Sequence, residues 1–448
     1  MEPEFRYMVR KLAVPNLGLL SLAAYLREHL PRCEIRYVSQ NLKAIIGKGP
    51  RIDEEIAGMA PDVVGISTST ANFLDGVEVA RVAKLCGSTV VMGGIFPAMN
   101  DYWVLENFPE VDWIVRGEGE ATFCELCATL ENGRVPELVR GTTTRRNNTV
   151  VRHPPRPLLD LQMLPLPTYD LVSIQDYLDA GSEMGVFASR GCNYRCVFCT
   201  LAEFWEFRSR TFPNADVIYQ LTDAKGLGFG RARLEDETFA LDRKHGESLC
   251  KDIEKADVGI PLLVKTRVDI IDGELLRWLR RAGADQILVG VEDIDLTALS
   301  LIQKGSRTNW AALTQRRIRL AVDAGLSVYP VFMFGMPGET PSSVDKKVQF
   351  IMKVYEPGKV VPLLSFFTPH PGSRSWQLAQ NQEMDIVTRD LRRYTHLWPV
   401  AVPKTLGADG VRVLIAAYNT VAEQTRSYEF NPPIDLDWGS KVRNGVSE

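Results

Sequence analysis

Short apolar runs of strand length alternate with helical stretches along most of this chain, and this alternation limits the folds that it can form. In the N-terminal third, the predicted strands are 61–67, 89–92 and 112–115. Because helical stretches separate them, these strands predict a parallel sheet with helices on both faces, which is a doubly wound α/β unit. Such folds bind ligands at the carboxyl ends of their strands, here 67–72 and 93–100.

A second and longer alternation follows residue 185. Its predicted strands are 186–189, 231–234, 262–266, 286–291, 327–334 and 361–367. Six βα units in one run predict a partial βα barrel whose active site lies at the carboxyl ends of the strands. The segment between the two alternations is rich in proline and has no sustained period, so it is predicted to be a linker. The predicted domains are therefore 1–141 (doubly wound), 142–180 (linker), 181–380 (barrel) and 381–448 (a helical C-terminal region).

Composition and charge exclude several classes of protein. A chain of 448 residues with 45% hydrophobic and 24% charged residues is an ordinary globular composition, which excludes disordered, collagen-like and disulfide-scaffold proteins. The net charge of −4 offers no general basic surface, so no nucleic-acid partner is predicted. No apolar run approaches the length of a membrane helix, and the start of the chain lacks an apolar signal core. We therefore expect a cytoplasmic protein with no membrane partner.

Three cysteines lie within eight positions, in the loop that follows the first barrel strand: Cys192, Cys196 and Cys199. A reducing compartment disfavours disulfides, so clustered thiols there indicate metal ligands or catalytic groups. Three thiolates from one loop can bind three irons of a 4Fe-4S cubane, which leaves the fourth iron open to a substrate or cofactor. A structural zinc site would need a fourth ligand that no nearby His or Cys supplies. Zinc and a coincidental grouping of thiols are the alternatives.

This CxxxCxxC spacing, with aromatic Phe198 just before the last cysteine, resembles the radical S-adenosyl-L-methionine (SAM) superfamily. In that family SAM chelates the open iron, and an electron from a donor or reductase releases a 5′-deoxyadenosyl radical. The resemblance implies a 4Fe-4S cluster and SAM as cofactors. The order of the two domains resembles the subfamily with an N-terminal cobalamin-binding domain. The matching segments are LGLLSLAAYLRE, GISTST, VMGG, FPEVDWIVRGEGEATF, EDETF, KTRVD, GVE, QKG and FMFGMPGET.

The resemblance assigns SAM-binding residues at the ends of the second and third barrel strands. Asp236 and Glu237 match the acidic pair expected near the SAM amino group, where an anion suits an ammonium. Arg267 ends the third strand, where a guanidinium can pair with the SAM carboxylate. The alternative for the two acidic residues is that they are surface carboxylates. The alternative for any of the three is an ion pair at the barrel rim.

Two further groups complete the implied SAM site, to which the resemblance also assigns Phe198. Glu292 and Asp293 end the fourth strand and are placed to accept hydrogen bonds from the ribose hydroxyls. Gly335 and Pro337 follow the fifth strand, where glycine lets the backbone approach the adenine.

The N-terminal domain departs from the subfamily pattern at the loop after its second strand. Phe96 stands where cobalamin binders of this kind usually have a histidine, and Met99 and Trp103 make the loop bulky. The chain also has no Asp-x-His-x-x-Gly motif. We therefore predict that this domain keeps the fold without binding cobalamin.

Without a cobalamin methyl carrier, the predicted chemistry is hydrogen abstraction from a hydroxyl-bearing carbon of a small polyol or amino sugar, followed by loss of water. The chain resembles the radical SAM diol dehydratases of aminoglycoside (apramycin) biosynthesis in size and in its altered cobalamin domain. The predicted general acids and bases are Glu235, Asp293 and His370. The alternatives are a cobalamin-dependent radical SAM methyltransferase and a non-catalytic iron–sulfur sensor or scaffold.

Overall fold

The computed structural model describes residues 14–47, 49–131, 137–305, 309–382, 384–428, 431–436 and 438. Within these residues the chain forms two compact units, 14–182 and 183–438. No helix of the described residues is both long enough and apolar enough to cross a membrane.

The N-terminal unit is a five-stranded sheet with helices. Its helices are α1 (Leu17–His29), α2 (Gln40–Ile46), α3 (Ile52–Met59), α4 (Phe73–Leu85), α5 (Ile95–Met99), α6 (Asp101–Asn107), α7 (Glu120–Glu131) and α8 (Ile174–Asp179). Its strands are β1 (Val63–Ser67), β2 (Thr89–Gly93), β3 (Trp113–Val115), β4 (Thr142–Arg146) and β5 (Thr149–Arg152), in that order across the sheet. The first three strands are parallel, as predicted. Ser67 pairs with Gly93, so β1 and β2 end side by side.

Strands β4 and β5 lie in the segment that was predicted to be a linker, and this is a difference from the prediction. They form an antiparallel hairpin that continues the sheet beyond β3. Asn147 and Asn148 form its turn with φ of 47° and 61°, the conformation that two-residue hairpin turns require and that asparagine tolerates. The β-branched runs on either side of the turn favour strands. The prolines that suggested a linker follow only after β5, where the backbone is largely irregular.

The C-terminal unit contains the predicted partial barrel. Its strands are β6 (Met184–Val186), β7 (Ser189–Arg190), β8 (Arg210–Thr211), β9 (Ala232–Leu234), β10 (Leu262–Arg267), β11 (Ala284–Glu292), β12 (Ser327–Phe334), β13 (Leu363–Phe366), β14 (Met384–Ile386) and β15 (Ala401–Pro403). Its helices are α9 (Thr200–Phe204), α10 (Asn214–Gly226), α11 (Arg243–Ala256), α12 (Gly273–Arg281), α13 (Leu296–Leu301), α14 (Trp310–Asp323), α15 (Pro341–Val354), α16 (Arg374–Asn381) and α17 (Gly410–Gln424).

Six parallel strands make one sheet in the order β13-β12-β11-β10-β9-β6, so the predicted fold class is confirmed. Because the strands are parallel, their carboxyl ends meet at one edge, where the loops that carry the predicted site residues begin. The C-terminal region contains α17, which packs on α15, and also the antiparallel pair β14–β15.

Candidate active site

The cysteine loop is closed at its base by β7 and β8, which pair antiparallel. Gly191, just before the first cysteine, has φ of 93°, and a Cβ there would lie 2.0 Å from the carbonyl oxygen of Arg208. Only glycine fits this position. Glu237 accepts a hydrogen bond from the Gly191 N–H at 2.8 Å and another from Trp205 Nε1 at 2.7 Å. The Glu237 carboxylate, which follows β9, therefore holds the chain on both sides of the three cysteines.

The three cysteines provide a donor set that fits a 4Fe-4S cluster. Cys192 and Cys196 are buried and Cys199 is half-buried. Burial raises the pKa of Cys199 to about 11, so its thiol is neutral until a metal displaces the proton. Among the described residues, no three His, Cys, Asp or Glu side chains are grouped to hold one metal ion. A cubane does not require such a grouping, since each thiolate binds a separate iron.

Arg267 lies against the cysteine loop, and each of its three nitrogens already donates a hydrogen bond. Its Nη1 donates to Cys196 Sγ at 3.1 Å, and its Nε and Nη2 donate to the two oxygens of Asp269 at 3.0 and 2.9 Å. Nη2 also donates to the carbonyl of Lys304 at 2.7 Å, and the guanidinium lies 3.7 Å from the centre of the Tyr194 ring. The arginine therefore holds Cys196, one of the three predicted cluster ligands, in place.

Asp236 and Glu235 are held by protein groups. Asp236 is buried and accepts hydrogen bonds from the N–H groups of Ala188 and Ser189 and from the Ser189 hydroxyl. Burial raises its pKa to about 6. Glu235 lies 2.6 Å from Lys265 Nζ, and although burial opposes ionisation, the neighbouring cations lower its pKa. A carboxylate stabilised in this way is a weak general base.

Glu292 forms a buried ion pair with Lys304, a residue for which the sequence pattern predicted no role. Glu292 Oε1 lies 2.5 Å from Lys304 Nζ, and both side chains are less than 10% exposed. Glu292 has φ of 66°, which is unusual for a residue other than glycine. A Cβ on Gly290 would lie 2.8 Å from both charged atoms, so glycine leaves room for the pair. Lys304 Nζ lies 5.7 Å from the Phe198 ring.

The turns after β11 and β12 contain the other predicted SAM residues. Asp293 Oδ1 accepts hydrogen bonds from the N–H groups of the next two residues, and Oδ2 lies 2.6 Å from Lys347 Nζ. Gly335 has φ of 75° and donates its N–H to Glu339 at 2.7 Å. Pro337 is buried in the same turn.

His370 lies in a different group of side chains. Its Nε2 is 3.4 Å from Nε2 of His396, and its ring is 6.1 Å from that of Tyr394. Burial lowers the pKa of His370 to about 3, so the imidazole is neutral at pH 7. Glu235, Asp293 and His370 therefore have separate contact networks. No sequence pattern predicted the pairing of His370 with His396.

The loops at the carboxyl ends of β1 and β2 approach each other closely. Gly94 has φ of 96°, and a Cβ there would lie 2.2 Å from the Thr68 carbonyl oxygen. The Thr68 hydroxyl is buried and has no hydrogen-bond partner among the described residues. An unpaired buried hydroxyl at a strand end fits a polar contact with a bound ligand. Phe96 is only 2% exposed, and its ring centre is 4.7 Å from that of Phe73.

Family models match both units. A model described as the B12 binding domain matches residues 8–127, and a model described as the Radical SAM superfamily matches residues 186–351.

Individual proteins resemble the chain over most of its length. It is 29% identical over 406 residues to the uncharacterized methyltransferase PH0819 of Pyrococcus horikoshii, which covers 90% of this chain and 86% of that protein. It is 29% identical over 320 residues to the anaerobic magnesium-protoporphyrin IX monomethyl ester cyclase of a Synechocystis strain, which covers 68% of this chain and 62% of that protein. The structure of the radical S-adenosylmethionine methyltransferase TsrM from Kitasatospora setae, with cobalamin and a 4Fe-4S cluster bound, superposes with a TM-score of 0.70 at 21% identity and covers 82% of this chain and 72% of that one.

The prediction that the N-terminal domain binds no cobalamin is wrong. The match to the B12 binding domain contradicts it, and the fold is shared with a structure that holds cobalamin. The physical reason concerns Phe96, which was expected to fill the space at the strand ends. Its ring is buried against Phe73, so its bulk belongs to the core of the unit.

The prediction of a dehydratase acting on a polyol or amino sugar is also wrong. It depended on the absence of a cobalamin methyl carrier, which the match to the B12 binding domain contradicts. The similarity to a methyltransferase over 90% of the chain favours the methyltransferase alternative over the dehydratase.

Proposed function

Because this chain belongs to the radical SAM superfamily and carries an N-terminal B12-binding domain, we propose that it is a cobalamin-dependent radical SAM methyltransferase that acts on a small molecule. The observation that carries the proposal is the presence of a three-cysteine loop and a B12-binding domain in one chain. The similarity to a methyltransferase supports methyl transfer as the reaction.

When bound, the cluster and the cobalamin supply one-electron cleavage of SAM and a carrier for its methyl group. Cys192, Cys196 and Cys199 would hold three irons of the cluster. Glu237 keeps their loop in place through its hydrogen bonds with Gly191 and Trp205. The cluster must be reduced, so the proposal includes an electron donor or a partner reductase.

In this proposal the ion pair of Glu292 and Lys304 receives the methionine group of SAM. That group carries an ammonium and a carboxylate, which complement the two charges of the pair. Lys304 takes the carboxylate, the role predicted from the sequence for Arg267. The Nε and Nη2 of Arg267 already donate to Asp269 and to the Lys304 carbonyl, whereas an ammonium has three donors and Glu292 occupies one of them. The buried position of the pair strengthens such charge-assisted contacts.

The same proposal gives Asp236 a supporting role beneath the cysteine loop. Phe198, Gly335 and Pro337 remain proposed contacts of SAM, the last two with its adenine. Glu235 and Asp293 act as members of ion pairs, since neither is free to exchange a proton without breaking one.

Replacing Lys304 by methionine tests the proposed SAM contact. The substitution removes a charge-assisted hydrogen bond of about 1.5–3 kcal/mol, so we expect the dissociation constant for SAM to rise about 10- to 100-fold. Equilibrium dialysis of the iron-reconstituted protein under anaerobic conditions measures it.

Lys265→Met is the matched control, since it removes a lysine from another strand-end ion pair, 2.6 Å from Glu235. We expect this variant to bind SAM like the parent. Equal weakening by both substitutions would contradict the specific role of Lys304.

The proposed function can be tested without knowing the substrate. The full chain is purified anaerobically, its iron is reconstituted and hydroxocobalamin is added. We expect about one corrin and about four irons per chain, and S-adenosylhomocysteine in an amount matching the corrin once reductant and SAM are present. A protein that retains no corrin, or that forms no S-adenosylhomocysteine, contradicts the proposal.

A second candidate reaction is a ring closure, because the chain is 29% identical over 320 residues to a cyclase. The mass of the product distinguishes the two reactions. A methyl group from deuterated SAM appears in the product of a methyltransferase, whereas a ring closure transfers no label.

A further inference from the structure

Lys347 in α15 places a positive charge inside the barrel unit. Its side chain is 0% exposed, and so are those of its two ion-pair partners, Asp293 and Glu339. Lys347 Nζ lies 2.6 Å from Asp293 Oδ2 and donates to the carbonyl of Met333 at 2.5 Å. One buried ammonium therefore joins two carboxylates that come from different turns.

Each carboxylate fixes the turn that contains it. Asp293 follows Glu292 and accepts the N–H groups of Ile294 and Asp295 at 2.6 and 2.9 Å, which holds the turn after β11. Glu339 accepts the N–H groups of Gly335 and Met336 at 2.7 and 3.1 Å, which holds the turn after β12. The first turn follows directly on Glu292, and the second contains Gly335 and Pro337, so both adjoin proposed contacts of SAM.

The regular pairing between β11 and β12 is interrupted just before these turns. The register shifts between Gly290 and Glu292, and Glu292 has φ of 66°. The hydrogen bonds between β11 and β12 are therefore irregular at the carboxyl ends of these strands. The separation of the two strand ends determines the shape of the proposed SAM site. The network around Lys347 supplies a connection across that position.

The energetics favour a positioning role over a purely stabilising one. Buried charge networks are often no more stabilising than well-packed apolar side chains of similar volume. Burial lowers the pKa of Lys347, but the two carboxylates outweigh it and raise the pKa overall, so the ammonium stays charged at neutral pH. The positive charge at the centre of the network thus persists under assay conditions.

We propose that Lys347 is a positioning residue that sets the distance between the turns after β11 and β12, so that Glu292 and the turn at Gly335 contact the same SAM molecule. The inference rests on the proposed function, because it assigns SAM to these turns. Lys347 itself lies beneath the site and acts through Asp293 and Glu339.

The test compares Lys347→Met with Lys346→Met, which removes an exposed lysine from the adjacent position of the same helix. The reaction measured is 5′-deoxyadenosine formation from SAM in the presence of reductant. We expect the KM for SAM of Lys347→Met to rise about tenfold or more, because a small misplacement of a binding group has effects of this size. We expect its kcat at saturating SAM and its iron content to stay near those of the parent. Lys346→Met should match the parent in every measurement.

A purely structural role gives a different result. It lowers the folded fraction and therefore kcat, while the KM of the molecules that remain folded is unchanged. A KM within about twofold of the parent overturns the positioning role, since that is far below the effect expected of a displaced binding group.

A second variant keeps the inference testable if Lys347→Met does not fold. The triple variant Asp293→Asn, Glu339→Gln, Lys347→Met removes all three charges of this network, and its amide oxygens still accept the N–H groups of the turns. We expect this variant to fold, to bind iron and to bind SAM weakly. Binding of SAM as tight as in the parent overturns the positioning role. Failure of the parent itself to bind SAM overturns the proposed function instead.

Discussion

Replacing Cys196 by alanine is expected to abolish the cluster and the cleavage of SAM. Two thiolates remain in the loop, and a cubane held by two protein ligands is under-ligated. Removal of a residue that merely supports a metal ligand costs 10- to 100-fold in metal affinity or activity, so loss of the ligand itself should lower SAM cleavage by more than about 100-fold. The loss also deprives Arg267 of the sulfur to which it donates at 3.1 Å. Iron per chain, visible absorbance and 5′-deoxyadenosine or S-adenosylhomocysteine formation measure the outcome.

Cys250→Ala is the matched control for this prediction. Cys250 is buried in the same unit but lies on α11, outside the cysteine loop. We expect this variant to retain its iron and its activity, with a modest loss of stability from the small cavity. A Cys196→Ala protein that still carries four irons would show that the loop is not the cluster site.

Replacing Gly94 by alanine is expected to destroy corrin binding by the N-terminal unit. A Cβ at this position would lie 2.2 Å from the carbonyl oxygen and 2.9 Å from the nitrogen of Thr68, and both are backbone atoms that cannot rotate away. Gly94 combines φ of 96° with ψ of −179°, a conformation nearly exclusive to glycine that costs a residue with a Cβ about 1–3 kcal/mol. Overpacking adds about 1–3 kcal/mol. The loops after β1 and β2 must separate, and the ligand surface at the strand ends is lost with them. Visible absorbance during titration with hydroxocobalamin and thermal unfolding measure the two effects.

Gly87→Ala separates the collision from the backbone strain. Gly87 is in the same unit and has φ of 81°, but a Cβ there would meet nothing within 4 Å. We expect this variant to lose a little stability and to bind corrin normally. Unchanged corrin affinity in Gly94→Ala would show that the loops after β1 and β2 do not form the binding surface.

The local pattern of the sequence is sufficient to predict the barrel. All six parallel strands were predicted, because each is a short apolar run between helices. The hairpin of β4 and β5 was not, because the nearby prolines outweighed its turn residues Asn147 and Asn148. A run of β-branched residues on both sides of two asparagines is the signal that could have identified it.

The candidate site was predictable only in part. The spacing of the cysteines is local, so it could be read directly from the sequence. Lys304 and Lys347 could not be recognised, because a lysine in a loop or a helix is usually exposed and only the tertiary structure brings each one to a buried carboxylate. The orientation of Phe96 is likewise a tertiary property, and the mistaken prediction about cobalamin arose there.

The contacts that Glu237 makes with the cysteine loop have a consequence for what happens when the proposed cluster is lost. The hydrogen bonds of Glu237 with Gly191 and Trp205, together with the β7–β8 pair, are protein contacts that hold the loop. If the loop holds a cluster as proposed, a chain that loses its iron would keep these contacts, and the same loop would be ready to bind a new cluster.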